Sequence, residues 1–137
     1  MKIKLVDVFT RDDVAKDLDF VYLFGDNLAD MQTGYIPRKT QAVIRGLPNA
    51  IGICTKRDRF TNSESYLNNG DYGWFTLHVD TQIRAAIDSG KGIALPVMGI
   101  GTGMAMLKAV APDCDNYLRT KLCELIETYH KVDEEWV

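Results

Sequence analysis

Ile93-Ala94-Leu95-Pro96-Val97-Met98-Gly99-Ile100-Gly101-Thr102-Gly103 is the stretch that decides the fold. An unbroken apolar run ends in glycines at alternate positions. Ile93–Met98 shows no polar alternation, so it reads as a strand buried on both faces, as in a sheet covered by helices. Pro96 cannot donate to a sheet ladder and is expected near the strand end or at an edge. Gly99–Gly103 then turns the chain toward the next helix.

Working outward, two further runs have the same character. Phe20-Val21-Tyr22-Leu23-Phe24 is halted by Gly25-Asp26-Asn27, and Ala50-Ile51-Gly52-Ile53-Cys54 follows a turn at Pro48-Asn49. Ile3–Phe9 alternates as a half-buried strand does. Thr10 stands as an N-cap before a short helix over Arg11–Asp17. Further helices are predicted from Pro37 through Arg45, closed by Gly46, and over Asp80–Asp88 with a start as early as Trp74. The strongest helix opens at Pro112, carries Leu118, Leu122, Leu125 and Ile126 on one face, and runs to about His130. Leu28–Pro37 reads as irregular. Lys56–Gly73 reads as a long polar loop, of the kind a compact domain keeps for function or mobility. The alternation of strands and helices predicts an α/β fold with a mostly parallel central sheet flanked by helices. Residues 1–131 are expected to form one domain, with 132–137 a loose tail from which Trp136 docks back.

Hydrophobic residues make up 46% of the 137 residues and charged residues 26%, which excludes a disordered or fibrous chain. A net charge of -3 argues against general nucleic-acid binding, whose footprint is basic. Cys54, Cys114 and Cys123 are odd in number and lack CxxC spacing, which fits a reducing compartment. No signal-peptide pattern and no apolar run of about 18 residues is present, so a cytoplasmic address without membrane association is expected. His78 and His130 have no Cys, Asp or Glu at metal-ligand spacing and neither has an evident partner. No metal site is expected. No Ser or Cys sits in a nucleophile elbow.

Three polar segments follow core strands: Gly25-Asp26-Asn27, Thr55-Lys56-Arg57 and Gly99–Gly103. In open α/β sheets, ligands gather where such loops converge at the carboxyl ends of strands. The alternate glycines allow main-chain N–H groups to point at an anion. Thr102 would add a hydroxyl. A ligand-free strand-to-helix turn fits the motif equally, since it is neither a Walker loop nor a Rossmann fingerprint, and no cofactor is expected. Asp26 suits a ribose hydroxyl, an adenine amine or a water, and Asn27 offers a donor and an acceptor; an Asx-turn is the plain alternative. Arg45, Lys56 and Arg57 are phosphate candidates, or solvated surface charges. Tyr66, Tyr72, Trp74 and Phe75 surround Asn68–Asp71 and suit either a base stack or, better for Trp74 and Phe75, a hydrophobic pin.

Phe24-Gly25-Asp26-Asn27-Leu28, Gln41-Ala42-Val43-Ile44-Arg45-Gly46, Pro48-Asn49-Ala50 with Gly52-Ile53, Thr55-Lys56 and Leu95-Pro96 before Gly99–Gly103 together resemble one group of sequences. It is a largely uncharacterised set of small bacterial and bacteriophage proteins with the pattern FGDNL, QAAVIRGEPNAxGIPTK and LPxxGxGTGLA. The resemblance covers roughly residues 18–118. Cys54 stands where that pattern has a proline. The group is in turn distantly similar to macro domains, which bind ADP-ribose. That likeness implies a macro-like fold, with Asn27 in a first ligand loop and Gly101-Thr102-Gly103 in a second that wraps the diphosphate.

Three functions are open at this point. The first is a binding module for an ADP-ribose-like or other phosphorylated adenine nucleotide, held by Gly25, Asp26, Asn27, Arg45, Thr55, Lys56, Gly99, Ile100, Gly101, Thr102 and Gly103. If the chain is phage-encoded, as the resemblance implies, it would sequester a host-defence nucleotide in the host cytoplasm. The second is a hydrolase of ADP-ribosyl or phosphate ester bonds, with Asn27 or Asp71 positioning water. The third is a protein-interaction domain working through Trp74, Phe75 and Trp136. A homo-oligomer stays open.

Overall fold

The computed structural model describes residues 2–129. Four strands form the sheet: β1 (Ile3–Val6), β2 (Phe20–Asn27), β3 (Ala50–Lys56) and β4 (Gly92–Pro96). They lie in the order β1-β4-β2-β3 and every pairing is parallel. The expected α/β class with a parallel sheet is therefore what the chain adopts. Parallel neighbours require crossover connections, and these place helices on both faces.

The strand pleat separates two cores. Val21 and Leu23 of β2 face one side with Ile53, Ile93 and Leu95, while Tyr22 and Phe24 face the other with Ala94. The first side is covered by α3 (Tyr72–Asp88) and α5 (Pro112–Thr128) through Phe75, Val79, Cys114, Leu118, Leu122 and Leu125. The second is covered by α1 (Arg11–Lys16) and a 3-10 turn at Gln41–Ile44, through Val14, Ala42 and Ile44. Truncating a buried leucine such as Leu118, which is 0% exposed, would cost about 2–5 kcal/mol.

Several boundaries differ from the sequence expectation, each for an identifiable reason. β1 stops at Val6, and Phe9 reaches the core from beyond it, its ring 5.3 Å from that of Tyr22 in an edge contact. β2 does not halt at Gly25: its pairing with β3 continues through Asp26, then shifts register at Asn27. Leu28–Pro37 is not wholly irregular, because Asn27 caps a helix α2 (Leu28–Thr33). The helix expected from Pro37 to Arg45 shrinks to the Gln41–Ile44 turn. Arg45 leaves that turn with ψ 134, an extended backbone that carries its side chain to Asp26. β4 ends at Pro96 as its missing N–H requires, and Val97 donates instead to Val6 at 2.9 Å. α3 begins at Tyr72, earlier than expected, where a capping box of Asn68 and Asp71 delivers the chain into the helix. A one-turn helix, α4 (Leu107–Val110), precedes α5.

β3 is an edge strand, and α3 closes that edge with side chains. His78 Nε2 accepts the Cys54 N–H at 2.9 Å, and Gln82 Nε2 donates to the Gly52 carbonyl at 2.8 Å. These contacts give His78 the partner that the sequence did not reveal, and they remove a free template for strand pairing. Burial holds His78 below its usual range despite the charge on Asp26, so the ring stays a neutral acceptor. Among the described residues no helix is long and apolar enough to cross a membrane. The tail with Trp136 lies outside the described residues.

Candidate functional site

All four strands end at one cleft of about 630 Å³, within the range of roughly 300–1,000 Å³ usual for small-molecule sites. Asp7, Val8 and Phe9 enter it after β1; Gly25, Asp26 and Asn27 end β2 there, and Thr55 and Lys56 end β3. Gly99, Gly101 and Gly103 reach it after β4, and residues between Tyr35 and Arg45 cross over it. The expected convergence of loops on one sheet edge is what the parallel topology builds.

The glycine loop takes its shape from two left-handed residues. Gly99 has φ 84 and Gly101 φ 79, conformations that a side chain disfavours. Ile100 between them is fully buried and anchors the loop in the core. Leu107 N–H closes the loop on the Gly101 carbonyl at 3.0 Å. No N–H of residues 100–103 donates to another described residue. Thr102 is placed differently from expectation. Its hydroxyl donates to the Met98 carbonyl at 2.6 Å, and the residue faces a second cavity, across the loop from the cleft.

Asp26 and Arg45 form a buried ion pair at the cleft floor, with side chains only 3% and 7% exposed. Arg45 Nη2 lies 2.5 Å and Nε 3.0 Å from the same oxygen, Oδ1, which also takes the Asn27 N–H at 2.8 Å. Arg45 also donates to the Tyr35 carbonyl. Its charge is thus matched within the protein, so Arg45 is less available to phosphate than its sequence position implied. Asp26 Oδ2 accepts no hydrogen bond from a described residue. Its neighbour is Gly52: a Cβ there would lie 2.6 Å from Oδ2.

Asn27 takes neither expected role outright, but caps α2. Its Oδ1 accepts the Asp30 N–H at 2.8 Å and its Nδ2 donates to Asp30 Oδ2 at 3.0 Å, which commits both ends of the amide. Lys56 is 6% exposed, donates to the Phe60 carbonyl at 2.6 Å and lies 4.7 Å from the Tyr66 ring centre. Burial lowers its pKa, partly offset by Asp58. Thr55 is buried beneath the loop, its methyl 3.2 Å from where a Gly101 Cβ would sit.

Asp71 and Arg57 are not part of the cleft. Arg57 Nη2 meets Asp71 Oδ2 at 2.5 Å, the Asn68 N–H meets the same oxygen at 2.9 Å, and Trp74 Nε1 meets Oδ1 at 2.9 Å. Burial raises the Asp71 pKa, yet these bonds outweigh it and hold the carboxyl below its ordinary value. Asp71 is the knot of the long loop, not a base facing substrate. Phe75 is fully buried and Trp74 packs against the same core, so the hydrophobic-pin reading holds for both. Burial and the Asp26 charge push the Cys54 thiol up to about 12, which leaves it unreactive.

Sequence reasoning missed two parts of the site. Gln41 bridges β2 to the glycine loop: its Oε1 accepts the Gly25 N–H at 2.8 Å and its Nε2 donates to the Gly99 carbonyl at 2.8 Å. Gln41 lies within Gln41–Gly46, but no spacing rule marks such a bridge. Arg59 stacks 3.7 Å from the Tyr35 ring centre and pairs with Asp30 at 2.9 Å, joining the long loop to the segment after α2. The opposite lip is apolar and exposed, with Val8, Met98 and Met104.

The fold is a parallel α/β domain with a cleft at the carboxyl edge of its sheet. The chain belongs to a family of unknown function, DUF7831, whose profile matches residues 4–121. No curated protein and no solved structure matches it.

Proposed function

We propose that the cleft binds a small phosphorylated molecule, an adenine nucleotide of the ADP-ribose type, with the glycine loop taking phosphate through its backbone. The observation that carries this reading is the set of N–H groups of Gly101, Thr102 and Gly103, without acceptors among the described residues, in a loop whose glycines border the cleft. Lys56 supplies positive charge nearby, and Asp26 Oδ2 an acceptor for a hydroxyl or amine. The likeness of the motifs to macro domains supports the ligand class, and the likeness to bacteriophage sequences suggests sequestration of a host-defence nucleotide.

The test is mass spectrometry of small molecules released from freshly purified protein, with thermal shifts on adding ADP-ribose, linear or cyclic adenine nucleotides, and pyrophosphate. A co-purifying nucleotide, or a rise in melting temperature with one of these compounds, is expected. If nothing co-purifies and none stabilises the protein, the reading falls.

A second reading, hydrolysis of an ADP-ribosyl or phosphate ester bond, is favoured by one observation. Asp26 borders the cleft and has one carboxylate oxygen that accepts no hydrogen bond from a described residue, an acceptor suited to orienting a water. Turnover of an added ADP-ribose conjugate, lost in Asp26→Asn, would support it over simple binding.

A further inference from the structure

We infer that Gln41 and Arg119 are positioning residues that preset the glycine loop, each gripping one of two successive carbonyls so that the Gly101 N–H is held toward the cleft for a phosphoryl oxygen. This inference rests on the binding reading above.

In a trans peptide the carbonyl of one residue and the N–H of the next point in opposite directions. The described residues contain no cis peptide. Whatever fixes a carbonyl therefore aims the following N–H the other way. The Gly99 carbonyl is held by Gln41 Nε2 at 2.8 Å, from the turn that packs with Ala42 and Ile44 on one face of the sheet. The Ile100 carbonyl is held by Arg119 Nη2, from α5, which packs on the other face through Leu118 and Leu122. Asp115 lies opposite Arg119 as its counter-charge, 3.3 Å from Nε, although Nε itself makes no hydrogen bond with a described residue.

With the Ile100 carbonyl drawn toward α5, the Gly101 N–H is turned away from it. The Gly101 nitrogen lies 4.0 Å from where a Cβ on Gly25 would stand, and both glycines border the cleft. That N–H has no acceptor among the described residues. The two glycines on either side of Ile100 both have positive φ, a conformation glycine adopts without strain. A Cβ on Gly99 would also sit 2.9 Å from Arg119 Nη1. Arg119 does not line the cleft, so it acts only through the loop. A loop held this way is already ordered before the ligand arrives, which removes an entropic cost of binding.

Gln41 offers a specific test because its role needs one acceptor and one donor on the same head. In Gln41→Glu the ionised carboxylate still accepts from Gly25 but opposes the Gly99 carbonyl. Protonation restores a donor. Pyrophosphate affinity is measured for wild type and variant from pH 7 down to about 4, near the ordinary glutamate range. The expected result is a loss of about tenfold or more at pH 7, shrinking toward wild type as the pH falls. A carboxylate bordering the cleft also repels pyrophosphate directly. The uncharged Gln41→Met, which lacks the donor to Gly99, is therefore measured beside it and should lose affinity at every pH; wild-type affinity in Gln41→Met would overturn the inference. Arg119→Met should lose affinity at every pH, with partial recovery in Arg119→Lys. Equal affinity of wild type and Gln41→Glu at pH 7 would overturn the inference. If wild type binds no phosphoryl probe, the binding reading fails by itself, and the Gly101 amide resonance of ligand-free protein then decides. A shift in Gln41→Glu at pH 7 that reverses in acid keeps the positioning role; an unmoved resonance removes it.

Discussion

Arg45 gives two N–H groups to a single oxygen of Asp26, and the other oxygen of that carboxylate lies against Gly52 with no hydrogen bond from a described residue. The pair matches charge beside the cleft, and the unbonded oxygen is the acceptor that the proposed binding would use. Its two roles separate by mutation.

Replacing Arg45 with Met should leave Asp26 buried without its counter-charge. Removing one member of a buried pair costs about 3–5 kcal/mol. Urea unfolding is the measurement, and a loss below about 1 kcal/mol would show the pair to be solvated.

Gly52→Ala should push against Asp26 and Phe24, since the new Cβ would lie 2.6 Å from Asp26 Oδ2 and 3.1 Å from Phe24 Cζ. Overpacking of this kind costs about 1–3 kcal/mol. Ligand affinity should fall as well, because the free oxygen is displaced. Unchanged thermal stability together with unchanged affinity would refute the placement of Asp26.

If the cleft binds an anion as proposed, Lys56 should set the alkaline limb of that binding. Burial favours its neutral form, so its proton is lost below the ordinary lysine value of about 10.4. An anionic ligand needs the charged form, so affinity should decline as the pH rises through that lowered value. Lys56→Met should bind about tenfold or more weakly at pH 7 and lose this decline. Isothermal titration between pH 7 and 10 tests both, and an identical pH profile in the variant would exclude Lys56 from the site.

His78 should make stability depend on mild acid. Its folded pKa is below the unfolded value of about 6.5, so the unfolded chain takes up the proton first. Stability is then full above about 6.5 and declines as pH falls from there toward the folded value. In His78→Gln, which keeps an acceptor for Cys54 but does not titrate, the urea midpoint should stay flatter between pH 7 and 5. The same slope in both proteins would mean that another group titrates.

Asp71→Ala should weaken the fold and spare the site. It removes the Asn68 capping box and the bonds to Arg57 and Trp74, a loss of about 1–2 kcal/mol on capping alone. Pyrophosphate affinity, measured where the variant is folded, should match wild type. A selective loss of affinity would return Asp71 to the site.

The strands and the long last helix were legible because burial leaves a local period. Phe20–Phe24, Ala50–Cys54 and Ile93–Leu95 are apolar without interruption, and Leu118, Leu122 and Leu125 repeat at helical spacing. The short helix α2 was not legible, since its signal rests on Asn27, which reads equally as a turn residue. The helix expected from Pro37 to Arg45 is shorter in the fold for a similar reason: a contact with Asp26, remote in sequence, overrides local propensity.

The sequence by itself determined the class of fold and the edge on which polar loops gather, because apolar periodicity and strand-to-helix alternation are written in neighbouring residues. Only the tertiary structure decided which of those polar groups remain available. Gln41 and Gly99 are 58 positions apart, and Arg119 reaches Ile100 from the far side of the sheet. Partners at such distances depend on the register of separate elements, and a hydrogen-bond donor or acceptor cannot be called free until that register is set.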